Sequence, residues 1–140
     1  MIENLKKLEN LINSELTSKI QSSFIANDEL SIEINENDLI EIIQFLKSNE
    51  KCKFRQLIDI AGVDYPNEEK RFKLVYLFLS HENNCRIKLS INFQPKQIIN
   101  SITKIFPAAN WMEREVFDMY GIKFKNHPDL RRILTDYGFK

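Results

Sequence analysis

The sequence is poor in the residues that usually hold cofactors. It has only three glycines, two cysteines and two histidines in 140 residues. Loops that cradle phosphates need several glycines close together, and no Gly-x-Gly-x-x-Gly or phosphate-loop pattern is present. Iron–sulfur clusters need cysteines in close register, and Cys52 and Cys85 are far apart. We therefore expect no nucleotide site, cluster or metal in this chain, and two reduced, structural thiols.

Net charge and long apolar runs are also absent. Basic and acidic residues balance at 20 each, which argues against nucleic-acid binding, since that affinity depends on neutralising phosphates. No apolar run approaches the roughly 20 residues that span a bilayer. The N-terminus, with Glu3 and Glu9 among its apolar positions, does not resemble a signal peptide. We expect the chain to stay on the side of the membrane where it is synthesised.

What is present indicates one α+β domain over residues 1–140, with a small mixed or antiparallel sheet and flanking helices. Hydrophobic residues make up 43% of the chain, enough for a core at this length. Apolar spacing and turn residues predict, in chain order, a helix over 1–20, a strand over 30–34, a helix capped by Asp38 with Glu41 completing a capping box, a short helix over 54–61 stopped by Gly62, a hairpin of strands 74–79 and 85–93, and a helix from Pro95 to Pro107. The first hairpin strand is apolar on both faces, which predicts cover on each side.

The last predicted helix spans residues 111–120. Asn110 can cap it, with Glu113 at the third helical position in a capping-box arrangement. Gly121 can end it with a positive φ. One stripe of this helix is expected to be buried, formed by Met112, Val116, Met119 and Tyr120.

The other face of this helix is charged. Glu113, Glu115 and Asp118 could serve as acid/base or metal groups, although a helix face of this kind is more often solvated or paired. Carboxylates that work on a metal usually come with histidines at helical spacing, and this helix has none. Arg114 stands four residues before Asp118 and can pair with it. We favour recognition over catalysis.

Charged and aromatic residues continue beyond Gly121. His127 lies in an Asn-His-Pro-Asp turn, where a hydrogen-bonding surface position is expected. Arg131 and Arg132, which follow Asp129, could clamp an anion or pair with carboxylates of a partner protein. Exposed aromatic residues and arginines are typical of interface centres, and Tyr137 lies beyond the last clear helix.

This C-terminal block resembles the hallmark block of the C subunit of NADH-quinone oxidoreductase, the 30 kDa subunit family of respiratory complex I. The residues that carry the resemblance are Glu113-Arg-Glu115, Asp118, Gly121, His127-Pro-Asp-Leu-Arg-Arg-Ile-Leu134 and Asp136-Tyr-Gly-Phe139. It extends upstream through residues 54–66, 71–80 and 105–111. Members of that family usually continue after Tyr-Gly-Phe into a basic, proline-containing tail, where this sequence ends at Lys140.

The resemblance implies a non-catalytic subunit of the hydrophilic arm of respiratory complex I. Such a protein binds no cofactor itself, while the complex as a whole uses FMN, iron–sulfur clusters, NADH and quinone. Its partners would be chiefly the D subunit, with the B subunit, and it would meet the membrane only through the complex, on the cytoplasmic side of a bacterial inner membrane or the matrix side of a mitochondrial one. We expect residues 1–109 to form the core and 110–140 a partner-binding block, with interface residues Glu113, Arg114, Glu115, Asp118, Tyr120, His127, Asp129, Arg131, Arg132, Asp136 and Tyr137.

Two alternatives stay open at this point. The nearer one is the equivalent subunit of a membrane-bound hydrogenase or another ion-pumping oxidoreductase. The second is a free-standing hydrolase or lyase that uses Glu113, Glu115, Asp118 and His127.

Overall fold

The protein folds around a five-stranded sheet with helices packed on it. The computed structural model describes residues 2–128, with side chains from residue 4 onward. In chain order the elements are α1 (Ile2–Glu15), β1 (Ile20–Ala26), β2 (Glu29–Ile34), α2 (Leu39–Ser48), β3 (Gln56–Asp64), β4 (Phe72–Ser80), β5 (Cys85–Phe93), β6 (Ile99–Asn100), α3 (Ala109–Tyr120) and β7 (Phe124–Lys125). This confirms the predicted α+β class.

The sheet is mixed, and its strand order could not be read from the sequence. The order is β1-β2-β5-β4-β3. Only β2 and the central strand β5 pair in parallel, while the other neighbours are antiparallel. The predicted hairpin of β4 and β5 is confirmed, with Phe72 opposite Phe93 at one end and Ser80 opposite Cys85 at the other. Strands β6 and β7 form a separate parallel pair.

The core lies on one face of this sheet. Along β5 every second residue is buried, and the residues between them are exposed or half-buried, so one face looks inward. The same core contains Leu5, Leu8, Ile12 and Leu16 of α1 and, as predicted, Leu39, Ile42, Ile43 and Leu46 of α2. On the opposite face of β4, Val75, Leu77 and Leu79 are only half-buried. The expectation that β4 is covered on both sides is therefore wrong.

The helix predicted over residues 54–61 is a strand, β3. Leu57 and Ile60 are both buried although they are three residues apart, a spacing that suggests a helix. The pairing of β3 with β4 shifts between Leu57 and Asp59. Because a bulge adds one residue, it turns the two-residue period of a strand into a three-residue step. The bulge thus imitated helical spacing.

The helix predicted from Pro95 to Pro107 is also absent. This segment contains β6, which pairs with β7 through bonds from the Ile99 amide to the Lys123 carbonyl (3.0 Å) and from the Ser101 amide to the Lys125 carbonyl (2.9 Å). A turn follows, in which the Phe106 amide donates to the Ile102 carbonyl (2.8 Å). Pairing with a strand that follows α3 decides this conformation, and no local pattern reports such a partner.

Two further details differ from prediction. Helix α1 ends at Glu15, short of Ile20, because Ile20 already pairs with Ile34 as the first residue of β1. At α2, Asp38 precedes the helix as predicted but makes no capping hydrogen bond, so no capping box forms. The side chain of Asn35 instead accepts a bond from the Asn37 amide (2.9 Å) in the turn before α2.

Candidate functional site

Helix α3, which carries five of the eleven predicted interface residues, packs on β3 through Tyr120. The Tyr120 hydroxyl donates to the Gly62 carbonyl at 3.0 Å. A Cβ on Gly62 would lie only 2.6 Å from a carbon of the Tyr120 ring, so the absence of a side chain makes room for the ring. The Phe72 ring meets Tyr120 edge-on, with centroids 6.3 Å apart. Gly121 ends α3 with φ 72, as predicted.

The start of α3 differs from prediction, because the helix begins at Ala109 without a side-chain cap. Asn110 is inside the helix, so the predicted cap and capping box with Glu113 are wrong. The Glu113 carboxylate accepts hydrogen bonds from the Ser101 hydroxyl (2.6 Å) and the Ile102 amide (2.9 Å). Because Ser101 and Ile102 donate to this carboxylate, it does not cap the first turn of α3. The two bonds join the segment after β6 to α3.

The buried stripe of α3 agrees only in part with the predicted one. Val116 is buried as predicted, together with Ala109 and Glu113, whereas Met119 is 73% exposed. Met112 and Tyr120 lie at the edge of the core, half-buried. The pattern misled because it counts a glutamate as polar, and Glu113 is inside only because both carboxylate oxygens have donors.

His127 is buried, not on the surface as expected for its turn. Its Nε2 lies 2.8 Å from the Asn110 carbonyl oxygen and 3.8 Å from a Glu113 carboxylate oxygen. Because a carbonyl oxygen only accepts, Nε2 is the protonated nitrogen. The contact anchors the chain after β7 to the first turn of α3.

Ser101 and His127 lie beside the Glu113 carboxylate, and the buried Tyr76 is near enough for the charge of Glu113 to affect it. Burial raises the pKa of Glu113 to about 7, although the bonds from Ser101 and Ile102 act in the opposite direction. Burial, and secondarily the charge of Glu113, raise the pKa of Tyr76 well above its usual value. The Tyr76 hydroxyl has no hydrogen-bond partner among residues 4–128. A neutral Glu113 is therefore favoured below neutral pH.

The outer face of α3 consists of Trp111, Glu115, Asp118 and Met119. These residues lie on one side of the helix and are all exposed, Trp111 at 66% and Met119 at 73%. Arg114 and Asp118 both lie within the described residues, and no ion pair joins them within 4.0 Å. The predicted pair is therefore wrong. A basic residue placed before an acidic one is the weaker order for a pair four residues apart, because it opposes the helix dipole.

The eleven predicted interface residues differ in their exposure to solvent. Glu113 and His127 are buried, so a surface position is wrong for both. Tyr120 and Arg114 are half-buried, and Glu115 and Asp118 are exposed. The remaining five lie outside the described residues: Asp129, Arg131, Arg132, Asp136 and Tyr137. The core itself continues beyond residue 109, since Val116, Ile122 and Phe124 belong to it.

The acid/base arrangement considered from the sequence does not assemble. Glu113 and His127 come together, but they are closed off from solvent. Glu115 and Asp118 lie on the exposed side of α3. Cys52 and Cys85 are free and buried, and burial raises the pKa of Cys52 to about 11, which keeps this thiol protonated. Within the described residues, no group of three or more His, Cys, Asp and Glu side chains is placed to hold a metal ion.

Sequence reasoning missed the partners of Glu113 and the exposure of two apolar residues. Ser101 was read as part of a helix, and no short-range pattern connects it to Glu113. The exposure of Trp111 and Met119 had a signal, because they share a helix side with Glu115 and Asp118 at steps of four, three and one. None of the helices in residues 2–128 is long and apolar enough to cross a membrane.

These features define a small mixed-sheet α+β domain with buried polar side chains beside Glu113 and a helix that turns apolar and acidic side chains outward. The chain belongs to the family of the 30 kDa subunit of respiratory-chain NADH dehydrogenase, whose family model matches residues 32–140. The C subunit of NADH-quinone oxidoreductase from Chelativorans sp. (strain BNC1) is 46% identical over 140 residues, which is all of this chain and 70% of that protein. The resemblance seen in the sequence is confirmed.

Two solved structures share this fold. A trypsin-resistant fragment of Nqo5 matches with a TM-score of 0.74 and 24% identity, covering 86% of this chain and 97% of that one. A chain of the membrane-bound sulfane sulfur reductase, an archaeal respiratory membrane complex, matches with a TM-score of 0.72 and 20% identity, covering 86% of this chain and 72% of that one. At these identities the comparisons concern the fold alone.

Proposed function

We propose that this chain is a non-catalytic structural subunit of NADH-quinone oxidoreductase, in the hydrophilic arm of respiratory complex I. The observation that carries the proposal is the 46% identity, along the whole chain, to a C subunit of that enzyme. In this role the chain holds neighbouring subunits in place while electrons pass from NADH to quinone. The FMN, iron–sulfur clusters, NADH and quinone are bound by other subunits.

The interior of the domain supports a structural role. Glu113 and His127 could exchange protons, but both are inaccessible to a substrate and are used to join the segment after β6, the helix α3 and the segment after β7. The Cys52 thiol is protonated at neutral pH because burial raises its pKa to about 11. These groups hold the fold together, which is what a scaffold needs.

The partners in this proposal are chiefly the D subunit, with the B subunit. The complex would carry the chain as a peripheral component on the cytoplasmic side of a bacterial inner membrane, or on the matrix side in a mitochondrion. The exposed side chains of α3 support protein contacts, because Trp111 and Met119 offer apolar area beside two carboxylates. Contact with the membrane would be indirect.

Purification of the tagged chain from native membranes in mild detergent tests the proposal. We expect the D and B subunits to co-purify in stoichiometric amounts together with NADH-quinone reductase activity. The chain purified alone is expected to be colourless and without NADH oxidation. A stoichiometric flavin, iron or zinc signal that survives dialysis of the isolated chain would contradict the non-catalytic role.

A second candidate is the equivalent subunit of a related membrane-bound oxidoreductase, such as an ion-pumping hydrogenase. The observation in its favour is the shared fold with a chain of the sulfane sulfur reductase complex, with a TM-score of 0.72. The same purification separates the two candidates. Co-purified NADH-binding subunits indicate complex I, whereas hydrogenase subunits without NADH oxidation indicate the second candidate.

A further inference from the structure

We propose that the outer face of α3 docks onto a neighbouring subunit of the same complex, on a surface that combines an apolar pocket with arginine or lysine side chains. The inference rests on the proposed function, and it names the contact surface and the chemistry of what it meets. Three observations carry it.

The first observation is the exposure of two large apolar side chains on one helix side. Trp111 is 66% exposed and Met119 is 73% exposed. They are eight residues apart, which corresponds to about 12 Å along a helix. Other exposed large apolar residues, such as Phe24 and Ile98, lie on other segments. Tryptophan is one of the residue types enriched among those that contribute most to binding at interfaces.

The second observation is the charge between these apolar residues. Glu115 and Asp118 are both exposed, and neither forms an ion pair with any residue from 4 to 128. A complementary surface therefore needs cations beside its apolar pocket. Two copies of this face would bring carboxylates against carboxylates, which disfavours a symmetric dimer.

The third observation is that hydrogen bonds on the inner side of α3 fix the helix to the domain. The Tyr120 hydroxyl donates to the Gly62 carbonyl, and the Glu113 carboxylate accepts bonds from the Ser101 hydroxyl and the Ile102 amide. A face that is already ordered loses little conformational entropy on binding. The helix therefore presents its outer face in a fixed orientation.

The experiment measures assembly of the tagged chain in cells that lack their own copy of the gene. One variant removes the apolar anchors, Trp111→Ser with Met119→Ser, and a second reverses the charge, Glu115→Lys with Asp118→Lys. The matched controls are Phe24→Ser, at a site 59% exposed on β1, and Glu50→Lys with Glu68→Lys at exposed sites. Recovery of the D and B subunits from solubilised membranes is quantified by mass spectrometry, and the melting temperature of each purified chain reports folding.

We expect each α3 variant to reduce the recovery of both subunits about tenfold or more, with melting temperatures and both controls unchanged. Recovery equal to wild type would overturn the docking surface and leave the proposed function standing. Failure of the wild-type chain itself to recover any other part of the complex would overturn both. Two other results also overturn the inference. One is a wild-type chain that forms a dimer which the α3 variants dissociate, since the face would then bind a second copy. The other is normal assembly of the variants together with faster amide exchange at 129–140 than in the isolated wild-type chain, since those residues would then bind the face.

Discussion

The ring of Tyr120 occupies the space that a side chain on Gly62 would fill. A Cβ at position 62 would lie 2.6 and 2.8 Å from two carbons of that ring. The hydroxyl of the same tyrosine bonds to the Gly62 carbonyl at 3.0 Å. One residue without a side chain on β3 thus sets the distance of α3 from the sheet.

Substitution of Gly62 by alanine is expected to lower the free energy of unfolding by about 1–3 kcal/mol, because the ring and the helix behind it must move. Urea unfolding of the purified chain measures this. In a Tyr120→Ala background the added cost of Gly62→Ala is expected to be much smaller, since the clash is gone. Equal costs in the two backgrounds would contradict the contact.

The stability of the chain is expected to fall between pH 4.5 and 7 because of Glu113. The pKa of this carboxyl is about 7 in the folded chain, against an ordinary value of 4.5. Between these values the unfolded chain has released its proton while the folded chain retains it, so rising pH favours unfolding. The loss amounts to at most about 3 kcal/mol and is complete above pH 7.

The Glu113→Gln variant isolates this effect from other titrating groups. Glutamine is neutral at every pH, so we expect the variant's free energy of unfolding to lack the loss seen in the wild type from pH 4.5 to 7. Unfolding in urea at several pH values gives both curves. Parallel curves would show that Glu113 titrates at its ordinary pKa.

Replacement of His127 by alanine is expected to loosen the join between α3 and the pair β6 and β7. The side chain is buried and bonds to the Asn110 carbonyl, so its loss removes an anchor and leaves a cavity. Hydrogen exchange at the Ser101 amide, which bonds to Lys125, is then expected to accelerate more than at strand β4. His81→Ala, at an exposed site, is the control. Unchanged protection of Ser101 would mean that His127 anchors nothing.

The arginines at positions 131 and 132 remain predicted partner contacts. Arg131→Ala with Arg132→Ala is expected to leave the melting temperature of the isolated chain nearly unchanged and to weaken assembly with the D subunit by about 2–5 kcal/mol, the cost of stranding a partner carboxylate. Because Arg114 forms no ion pair with Asp118, Arg114→Ala is expected to change the free energy of unfolding by less than about 0.5 kcal/mol. A double variant that unfolds the isolated chain would place these arginines inside it.

Elements with an unbroken local period were predictable. Strand β5 alternates buried and accessible residues from Cys85 to Phe93, and α2 buries Leu39, Ile42, Ile43 and Leu46, as the pattern indicated. Strand β3 was missed because its bulge between Leu57 and Asp59 breaks the alternation. Strand β6 was missed because two residues carry no period and their partner, β7, lies beyond α3.

The candidate site shows the same division. The exposed positions of Glu115 and Asp118 and the helix end at Gly121 followed from spacing and from the conformational freedom of glycine. The burial of Glu113 did not, since a carboxylate is expected outside unless donors meet it. Those donors, Ser101 and Ile102, come from a segment that the local pattern misread as a helix.

The sequence by itself determined the α+β class, the hairpin of β4 and β5, and membership in the family, because these depend on short periods and on a contiguous block of residues. Tertiary structure alone decided which charged groups of that block lie inside and which remain outside. Burial of a charged residue depends on partners distant in the chain, so Glu113 and His127 went into the core, while Trp111 and Met119, whose side of α3 no described residue covers, stayed exposed.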